Sequence, residues 1–563
     1  MRVVVRGRES VVNGAGCHSR WRHRIKGLFL STMAAGAAMV ALPSATGQAW
    51  AGLLSPPTAP YIVSDLNGLD SALALADVLG VGGSVSESLD AADGVLANLT
   101  SVQVSLLRLL PDVVVTPDVA VSVQAAVSKG THQPSAVFPQ ETEATRLWRN
   151  GDSGAGVNVA VLDTGIDALA DFAGRLVGGV DLSGEGNAFR DSYGHGTFVA
   201  GLVAGNGASS NGAYTGEAPG AGLVAVKVAG ASGTTDLATV IAGVGWTIAN
   251  RAALGIGVLN MSLGYQPLES TAVDPLDTAV EKAWQSGIVV VTSAGNAGPF
   301  NGTILSPGDD PLVITVGALD DMATPSTSDD TMTRFSSVGP TNPDGWFKPD
   351  LVASGRSVVS LRAPGSTIAG AYPGAWVGAN NFVGSGTSFS AAITSGAVAL
   401  FLSAHPGYAP NAVKAALLAT TNAGPAGNPF VDGHGALDVG LAVDQPPVSV
   451  AQSPQPGLTA TVCATPIGAT VSLSSAWTSS NWNPGTWTGT AWNGTAWNGT
   501  AWNGTAWNGT AWNGTAWNGT AWNGTAWNGT AWNGTAWDGT AWNGTAWNGT
   551  AWNGTAWNGS SWS

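Results

Sequence analysis

The feature that most constrains the fold is a series of short apolar runs separated by helical stretches. Strands that alternate with helices at this spacing indicate βαβ units, in which a parallel sheet is covered by helices on both faces. The sequence therefore predicts an α/β fold for the middle of the chain. The apolar runs are residues 223–228, 258–262, 288–292 and 312–316, and the helical stretches are residues 237–253 and 274–284.

Another buried-strand pattern, residues 156–162, ends in a carboxylate. Asp163 follows the apolar run and is itself followed by Thr164 and Gly165. Because ligand sites of open parallel sheets gather beyond the carboxyl ends of the strands, Asp163 is predicted to face such a site. Asp-x-Gly after a strand is also a common turn sequence, so this motif alone does not identify a site.

One histidine lies between glycines at the start of an apolar helix. In Gly194-His195-Gly196-Thr197 the neighbours of the imidazole have no side chains, so other backbone and a substrate can approach it closely. A single histidine is more often structural than catalytic. The combination of His195 with an aspartate and a serine is what indicates chemistry here.

A hydroxyl-rich turn, Gly384-Ser385-Gly386-Thr387-Ser388, leads into a long apolar run. The run is predicted to be a buried helix that ends near the His-Pro-Gly sequence at 405–407, because Pro and Gly stop helices. Ser388 is therefore predicted at a helix N-terminus, where free backbone N–H groups favour negative charge. The position suits a nucleophile whose substrate develops an oxyanion, and it equally suits an ordinary capping serine.

Two loops that follow predicted strands add polar groups to the same edge of the sheet. Ser262-Leu263-Gly264 ends one strand, and Ser293-Ala294-Gly295-Asn296 ends another. The glycine would let the Asn296 amide face a cleft. On its own, Asn296 would be interpreted as a turn residue that tolerates positive φ.

Together these motifs resemble the subtilisin-like serine proteases, the subtilases. The resemblance covers about residues 141–443, and the order Asp163, His195, Ser388 is that of subtilisin rather than of chymotrypsin-like or α/β-hydrolase enzymes. It implies a subtilisin-like parallel sheet and a serine endopeptidase that hydrolyses protein or peptide substrates through an acyl-enzyme.

The resemblance also implies roles for individual residues. Ser388 is expected to be the nucleophile, His195 its general base and later general acid, and Asp163 the residue that orients the imidazole. Asn296 and the Ser388 backbone N–H are expected to form the oxyanion hole. The strand edge 262–264 is expected to pair with extended substrate as an added β-strand.

The resemblance leaves packing and metal ions less defined. Phe389-Ser390 follows the expected nucleophile where subtilases commonly have Met-Ala, so packing behind the site is expected to differ. Subtilases need no metal for the chemical step. Structural calcium is frequent in the family, but no complete ligand loop matches in this sequence. Asp309-Asp310 and Asp320-Asp321 are interpreted as solvated loops.

The N-terminal segment predicts secretion. Residues 1–51 contain a basic region, an apolar stretch at 27–42 that is too short to span a bilayer comfortably, and the small-x-small sequence Ala49-Trp50-Ala51. We predict a cleaved signal peptide, with a retained membrane anchor as the alternative. The whole chain has a formal charge of −15 despite this basic leader, which argues against nucleic-acid or anionic-membrane partners. Cys17 leaves with the leader, so Cys463 is left without an internal disulfide partner.

Residues 52–140 have the pattern of a small α+β domain. The segment resembles the inhibitory propeptides that precede secreted subtilases, and a small domain retained in the mature protein is the alternative. Residues 128–142 are predicted to be an exposed linker that contains the maturation bond. The predicted strands are residues 61–63 and 113–121, and the predicted helices are residues 69–79 and 96–110.

The catalytic domain is predicted to span residues 141–445, followed by a linker at 446–474 and a repeat tail at 475–563. In the tail, Trp recurs every five residues, mostly as Thr-Ala-Trp-Asn-Gly. Five is the period of neither a strand nor a helix, so the repeats predict a solenoid-like array or a disordered tail. The indoles could bind a cell-wall or other glycan, the tail could be a plain linker, or identical tails could associate.

The alternative to an enzyme is an inactive subtilase fold that binds a cell surface or glycan through its tail. Such a scaffold has no reason to keep Asp163, His195, Ser388 and Asn296 together. The sequence therefore favours the secreted, propeptide-controlled protease.

Overall fold

The computed structural model describes residues 57–66, 71–123 and 134–446 in full, and the backbone of strands between residues 490 and 536. It divides into two compact units, residues 1–470 and 471–563, which are described separately. The predicted signal peptide, Cys463 and most of the 446–474 linker lie outside the described residues.

The first unit begins with a small α+β domain. Its elements are β1 (Thr58–Asp65), α1 (Ala72–Gly80), β2 (Ser84–Leu89), β3 (Gly94–Thr100), α2 (Ser101–Leu107), β4 (Val113–Pro117) and β5 (Ala120–Val123). Four strands form an antiparallel sheet in the order β2-β3-β1-β4, and both helices pack on it around a core of its own.

The predicted helix at residues 96–110 is wrong in its first part. Ala97 and Leu99 are buried while Asn98 between them is exposed, which is the two-residue alternation of strand β3. The helix begins only at Ser101, where Thr100 and Gln103 form a capping box.

An α/β domain follows. Its elements are α3 (Phe138–Glu141), α4 (Ala144–Arg149), β6 (Asn158–Asp163), β7 (Leu176–Asp181), α5 (His195–Ala204), β8 (Gly222–Lys227), β9 (Thr234–Asp236), α6 (Leu237–Leu254), β10 (Ile256–Met261), β11 (Leu263–Gly264), α7 (Pro275–Gln285), β12 (Val289–Ser293), β13 (Ile314–Asp320), β14 (Thr331–Met332), β15 (Leu351–Ser354), β16 (Val358–Leu361), α8 (Thr367–Ala371), β17 (Trp376–Val377), β18 (Asn381–Gly384), α9 (Thr387–Ala404), α10 (Pro410–Ala419) and α11 (Val439–Asp444).

The main sheet has the order β7-β8-β6-β10-β12-β13, with β15 parallel and the short β14 antiparallel to β13. Strands β8, β12 and β13 are buried along their whole length, as expected when helices cover both faces of a parallel sheet. The predicted α/β class and parallel sheet are confirmed.

Two long helices have ends that the sequence explains. Helix α6 begins after Asp236, whose carboxylate accepts a hydrogen bond from the Thr239 N–H at 2.8 Å, and it ends at Gly255 with φ of 58°. Helix α9 ends before His405, as predicted. By length and composition alone either helix could cross a membrane, but α9 is apolar because nearly all of it is buried in the core.

The predicted exposed linker at residues 128–142 is wrong for its second half. The Ser135 N–H donates to the Ser357 carbonyl at 2.8 Å, and the Val359 N–H donates to the Ser135 carbonyl at 2.9 Å. Phe138 is buried in the core of the α/β domain. The expected boundary between residues 140 and 141 therefore falls inside α3.

Strand β5 leaves the N-terminal sheet and lies between two strands of the α/β domain. It pairs antiparallel with β9 on one side and β11 on the other, so Ser122 is opposite both Thr234 and Gly264. The N-terminal domain makes a second contact through an ion pair of 2.6 Å between Asp93 and Lys282 of α7.

The second unit contains a ladder of short parallel strands. Most pairs join residues ten apart, such as Thr490 with Thr500 and Gly514 with Gly524, so identical residues of alternate pentapeptides face each other. The strands are β19 (Thr490–Ala496), β20 (Gly499–Ala506), β21 (Gly509–Ala511), β22 (Gly514–Ala516), β23 (Gly519–Ala521), β24 (Gly524–Ala526), β25 (Gly529–Ala531) and β26 (Gly534–Ala536).

Candidate active site

Asp163 and His195 form a buried pair at the carboxyl edge of the sheet. Asp163 is the last residue of β6 and His195 the first residue of α5, and the His195 Nδ1 lies 2.8 and 2.9 Å from the two carboxylate oxygens. A carboxylate only accepts hydrogen bonds, so Nδ1 is the nitrogen that carries a proton here, and in a neutral imidazole Nε2 then keeps its lone pair. Within the described part of the chain, Nε2 has no hydrogen-bond partner.

The turn after β6 ties the two residues together. The Thr164 N–H donates to Asp163 Oδ1 at 2.8 Å, and the Gly196 N–H donates to the Thr164 hydroxyl at 2.9 Å. A Cβ on Gly196 would lie 2.2 Å from the Gly165 carbonyl oxygen, so only glycine allows the helix to start this close to the turn.

A second buried aspartate, Asp191, holds the start of α5. Its carboxylate accepts hydrogen bonds from the Thr164 hydroxyl at 2.8 Å and from the Gly194 and Thr197 N–H groups at 2.7 Å each. Burial raises the pKa of Asp191 to about 6, against the effect of these three hydrogen bonds. Sequence reasoning assigned no role to Asp191, although it lies only four residues before the histidine.

Lys227, at the end of β8, holds together the segments on either side of the Asp163–His195 pair. Its buried ammonium donates to the carbonyls of Thr164 at 2.6 Å and Arg190 at 3.0 Å, and it forms an ion pair of 3.1 Å with Glu185. The end of β8, the turn after β6 and the loop between β7 and α5 are therefore joined around one buried charge. A single Lys at the end of an apolar strand carries no recognisable motif, so nothing in the sequence marks Lys227 as part of the site.

Ser388 is the second residue of α9, as predicted for a helix N-terminus. Its hydroxyl donates to the Ser262 carbonyl at 3.0 Å, and the Ser262 hydroxyl donates to the Ser388 carbonyl at 2.9 Å. The Asn260 side-chain NH₂ donates to the Ser262 hydroxyl at 3.0 Å, and the Asn260 amide oxygen accepts a hydrogen bond from the Ser395 hydroxyl at 2.9 Å. The end of β10 and the start of α9 are thus locked together.

Phe389 joins the serine turn to the histidine. Its ring centroid lies 5.7 Å from that of His195 and 4.3 Å from that of Phe198. A Cβ on Gly384 would lie 2.7 Å from the Phe389 ring, so the glycine makes room for this larger side chain. Packing behind Ser388 is expected to differ because Phe389 replaces the usual Met. Here Phe389 packs in an aromatic cluster with Phe198 and the His195 imidazole.

Asn296 follows β12 and is oriented by Thr387. The Asn296 Oδ1 accepts hydrogen bonds from the Thr387 N–H at 3.0 Å and the Thr387 hydroxyl at 3.1 Å. Because its oxygen is engaged in this way, the NH₂ group of the amide points away from Thr387. This places one amide donor beside the N-terminus of α9.

The groove next to these residues has two strand edges, and sequence reasoning found only one of them. The predicted edge 262–264 pairs with β5 through Leu263 and Gly264. The opposite edge is β9, which carries no motif beyond small polar residues. Val121 of β5 is completely buried between the two edges.

The aspartates interpreted as solvated loops are buried, and that interpretation is wrong. Asp309, Asp310, Asp320 and Asp321 are each at most 5% exposed. Burial and the neighbouring Asp274 raise the pKa of Asp309 well above its ordinary value. Among the residues the structure describes, no three His, Cys, Asp or Glu side chains are placed to hold a metal ion, so structural calcium stays a prediction without a site.

A parallel α/β sheet that presents an Asp–His pair and a helix-terminal serine at one edge is the arrangement of a serine hydrolase. Residues 154–435 match the family model described as the Subtilase family. The chain belongs to the subtilase family, and it is a serine protease of the subtilisin type.

Individual relatives agree with this assignment. The chain is 43% identical over 306 residues to the serine protease AprX of Bacillus subtilis strain 168, covering 53% of this chain and 69% of that protein. It is 35% identical over 304 residues to subtilisin E of the same strain, covering 54% and 69%.

One solved structure shows the same fold. Fervidolysin from Fervidobacterium pennivorans, a keratinolytic enzyme related to subtilisin, superposes with a TM-score of 0.54 at 22% identity. The match covers 69% of this chain and spans 61% of fervidolysin.

Proposed function

We propose that this chain is a secreted endopeptidase that cleaves protein or peptide substrates through an acyl-enzyme and is made as an inhibited zymogen. The observation that carries the proposal is the buried Asp163–His195 pair beside a groove in which an extended segment of the chain already pairs with both edges. Ser388 lies at the N-terminus of α9 beside one of those edges.

In the first step, His195 Nε2 takes the proton of the Ser388 hydroxyl as its oxygen attacks the scissile carbonyl. The hydroxyl must turn from the Ser262 carbonyl toward the imidazole, a rotation about one side-chain bond. Asp163 keeps the proton on Nδ1 and stabilises the imidazolium that forms. The imidazolium then protonates the leaving amine, and water attacks the acyl-enzyme by the same route.

The negative charge that develops on the carbonyl oxygen needs donors that are already in place. Asn296, whose amide oxygen is held by Thr387, and the Ser388 backbone N–H are the proposed donors. Loss of one such donor costs about 10²–10³-fold in kcat, a range that comes from subtilisin itself. Preorganised groups on α9 and on the loop after β12 would therefore stabilise this negative charge.

The N-terminal domain is proposed to be the inhibitor. Strand β5 occupies the groove between β9 and β11, where an extended substrate would add as a strand. Outside the groove, the Asp118 carboxylate accepts a hydrogen bond from the Ala238 N–H at 3.0 Å, and Asp93 pairs with Lys282. These contacts support an occluding mode of binding.

The signal peptide, an extracellular location and a cell-wall or glycan partner for the repeat tail remain predictions within this proposal. The acidic chain provides no basis for a nucleic-acid partner. Retention of the full chain on insoluble wall material, compared with a chain ending at residue 474, would test the glycan contact.

The decisive experiment compares residues 52–563 as wild type, Ser388→Ala and Ser390→Ala. Ser390 lies on the same helix, but its hydroxyl donates to the carbonyls of Ala353 and Ser354 inside the protein. Casein cleavage should fall by about 10⁶-fold in Ser388→Ala, the size of effect known for the nucleophile of subtilisin, and should persist in Ser390→Ala. Cleavage by Ser388→Ala would refute the nucleophile. If none of the three proteins cleaves casein, even after residues 52–133 are removed, the inactive-scaffold alternative would be favoured.

Inhibition by β5 needs its own test, because an active protease need not be a zymogen. Val121→Asp places a charge in the buried centre of the groove, whereas Leu106→Asp places the same charge on the exposed side of α2. Casein cleavage should start earlier in Val121→Asp than in wild type or Leu106→Asp. Equal lag times in all three would contradict inhibition through β5.

A further inference from the structure

A second concave site lies at the edge of the sheet opposite the active site. The cavity has a volume of about 520 Å³, within the range of small-molecule pockets. It is lined by residues just before β6, by residues at the starts of β10 and β12, by the last turn of α6, and by the end of α9 with residues 406–410 after it. Since the strands are parallel and Asp163 ends β6, this site and the Asp–His pair lie at opposite ends of the strands.

The pocket contains one charged side chain, Arg251, in the last turn of α6. One guanidinium nitrogen donates to the Gly287 carbonyl at 3.3 Å, while the buried Nε has no partner. In the described part of the chain, the arginine ion pairs are those of Arg146 and Arg356, and none includes Arg251. Arg251 is thus half-buried, uses few of its five N–H donors and has no carboxylate partner. A buried charge in this state is stabilised by a bound anion.

The remaining wall is apolar and open. Val157, Leu402 and Tyr408 contribute side chains, and Gly257 lies at the irregularity where β10 shifts register against β6. A Cβ on Gly156 or on Gly407 would meet no atom within 4 Å. The space in front of Arg251 is therefore bounded by hydrocarbon surface and by glycine backbone.

We propose that this pocket binds a monocarboxylate with an apolar body, with the carboxylate on the Arg251 guanidinium. The planar fork of Arg matches a carboxylate, and the apolar wall suits a side chain of the size of leucine. A phosphate dianion fits less well, because no second cation lines the pocket. The carboxylate could belong to a free acid or to the C-terminus of a peptide.

Binding at this site is separate from substrate binding. Helix α9 carries Ser388 at its start and Leu402 near its end, fourteen residues later, which corresponds to about 21 Å along the helix. A ligand at Arg251 should therefore leave KM for a peptide substrate unchanged. A product carboxylate that binds in the active-site groove would instead compete with substrate.

The test uses residues 52–563 with Ser388→Ala, which prevents self-digestion, and isothermal calorimetry. N-acetyl-leucine should bind at one saturable site, whereas N-acetyl-leucinamide and inorganic phosphate should not. Arg251→Gln should weaken binding at least about tenfold, and Arg149→Gln, which removes the same charge from an exposed position, should not. A pentapeptide ending in leucine, with a free or an amidated C-terminus, distinguishes the two sources of the carboxylate.

Equal binding of the acid and the amide, or equal binding by wild type and Arg251→Gln, would overturn the proposal. No saturable binding of either the acid or the pentapeptide would overturn it as well. If Arg251→Gln does not fold, Arg251→Lys keeps the charge but loses the fork, and binding to it should still be weaker than to the wild type. Unchanged affinity in Arg251→Lys would then count against the proposed geometry.

Discussion

Glu217 is a buried carboxyl group whose ionisation should limit the stability of this protein. It lies before β8, completely buried, and packs on α9, where a Cβ on Gly396 would lie 2.5 Å from the Glu217 Cβ. One carboxyl oxygen accepts a hydrogen bond from the Thr142 hydroxyl at 2.6 Å, and the other has no partner. Burial raises the pKa of Glu217 from 4.5 to about 8.

The size and sign of the effect follow from the pKa values of the folded and unfolded states. A raised folded pKa means that the stabilising contribution is complete below pH 4.5 and is lost as the pH rises through about 8. At about 1.4 kcal/mol per pKa unit, the full loss is about 5 kcal/mol. In Glu217→Gln the amide oxygen keeps the Thr142 hydrogen bond and no charge can form, so this loss disappears.

The assay is urea unfolding at a series of pH values from 4 to 9, with Ser388→Ala in every chain to prevent self-digestion. The difference in unfolding free energy between Glu217→Gln and its parent should grow with pH toward about 5 kcal/mol. Other buried acids titrate in both chains and cancel in this difference. Glu143→Gln, at an exposed position, should change stability by less than about 1 kcal/mol.

A difference that stays constant from pH 4 to 9 would refute the reasoning. It would mean either that Glu217 remains charged in the folded protein or that solvent reaches it. A variant that is less stable than its parent at every pH would instead show that the amide NH₂ is not tolerated beside α9.

Three further predictions concern the site and the buried acids. In Asp191→Asn an NH₂ group faces the Thr197 N–H or the Thr164 hydroxyl, and this loosens the start of α5 that carries His195. The kcat for a peptide substrate should therefore fall at least about tenfold with little change in KM. A kcat equal to that of the wild type would contradict this. Asp277→Asn should raise the unfolding free energy at pH 9, because burial and Asp309 raise the pKa of Asp277 well above its ordinary value and neither carboxyl oxygen has a partner; lower stability at pH 9 would count against it. Gly384→Ala should push the Phe389 ring toward His195, which should lower the unfolding free energy in urea by about 1–3 kcal/mol and reduce the rate of peptide cleavage. A variant with unchanged stability and activity would show that Phe389 has room to move.

Much of the fold was predictable because its signals are local. The boundaries of α6 follow from an aspartate N-cap and a C-terminal glycine, and the apolar runs became β8, β10, β12 and β13. The failures also have local causes. Residues 96–100 are apolar enough for a helix, but alternate burial makes them a strand, and polar sequences such as Asp309-Asp310 give no sign of burial.

The sequence by itself determined the class of fold, the ends of α6 and the end of α9, and the residue types expected at the site, because each depends on neighbours within a few positions. Only the tertiary structure decided which of these residues meet. Asp163 and His195 are 32 positions apart, and Ser262 and Ser388 are 126 apart, yet each pair is in hydrogen-bond contact.

The same holds for features without any motif. Lys227, strand β9 and the pocket at Arg251 depend on how parallel strands and their loops assemble, since residues distant in sequence supply each set of contacts. Burial is likewise a property of the whole domain. Asp309 lies in a polar stretch of sequence, yet burial in the core and the neighbouring Asp274 raise its pKa. No local pattern contains that information, and the assembled protein sets it.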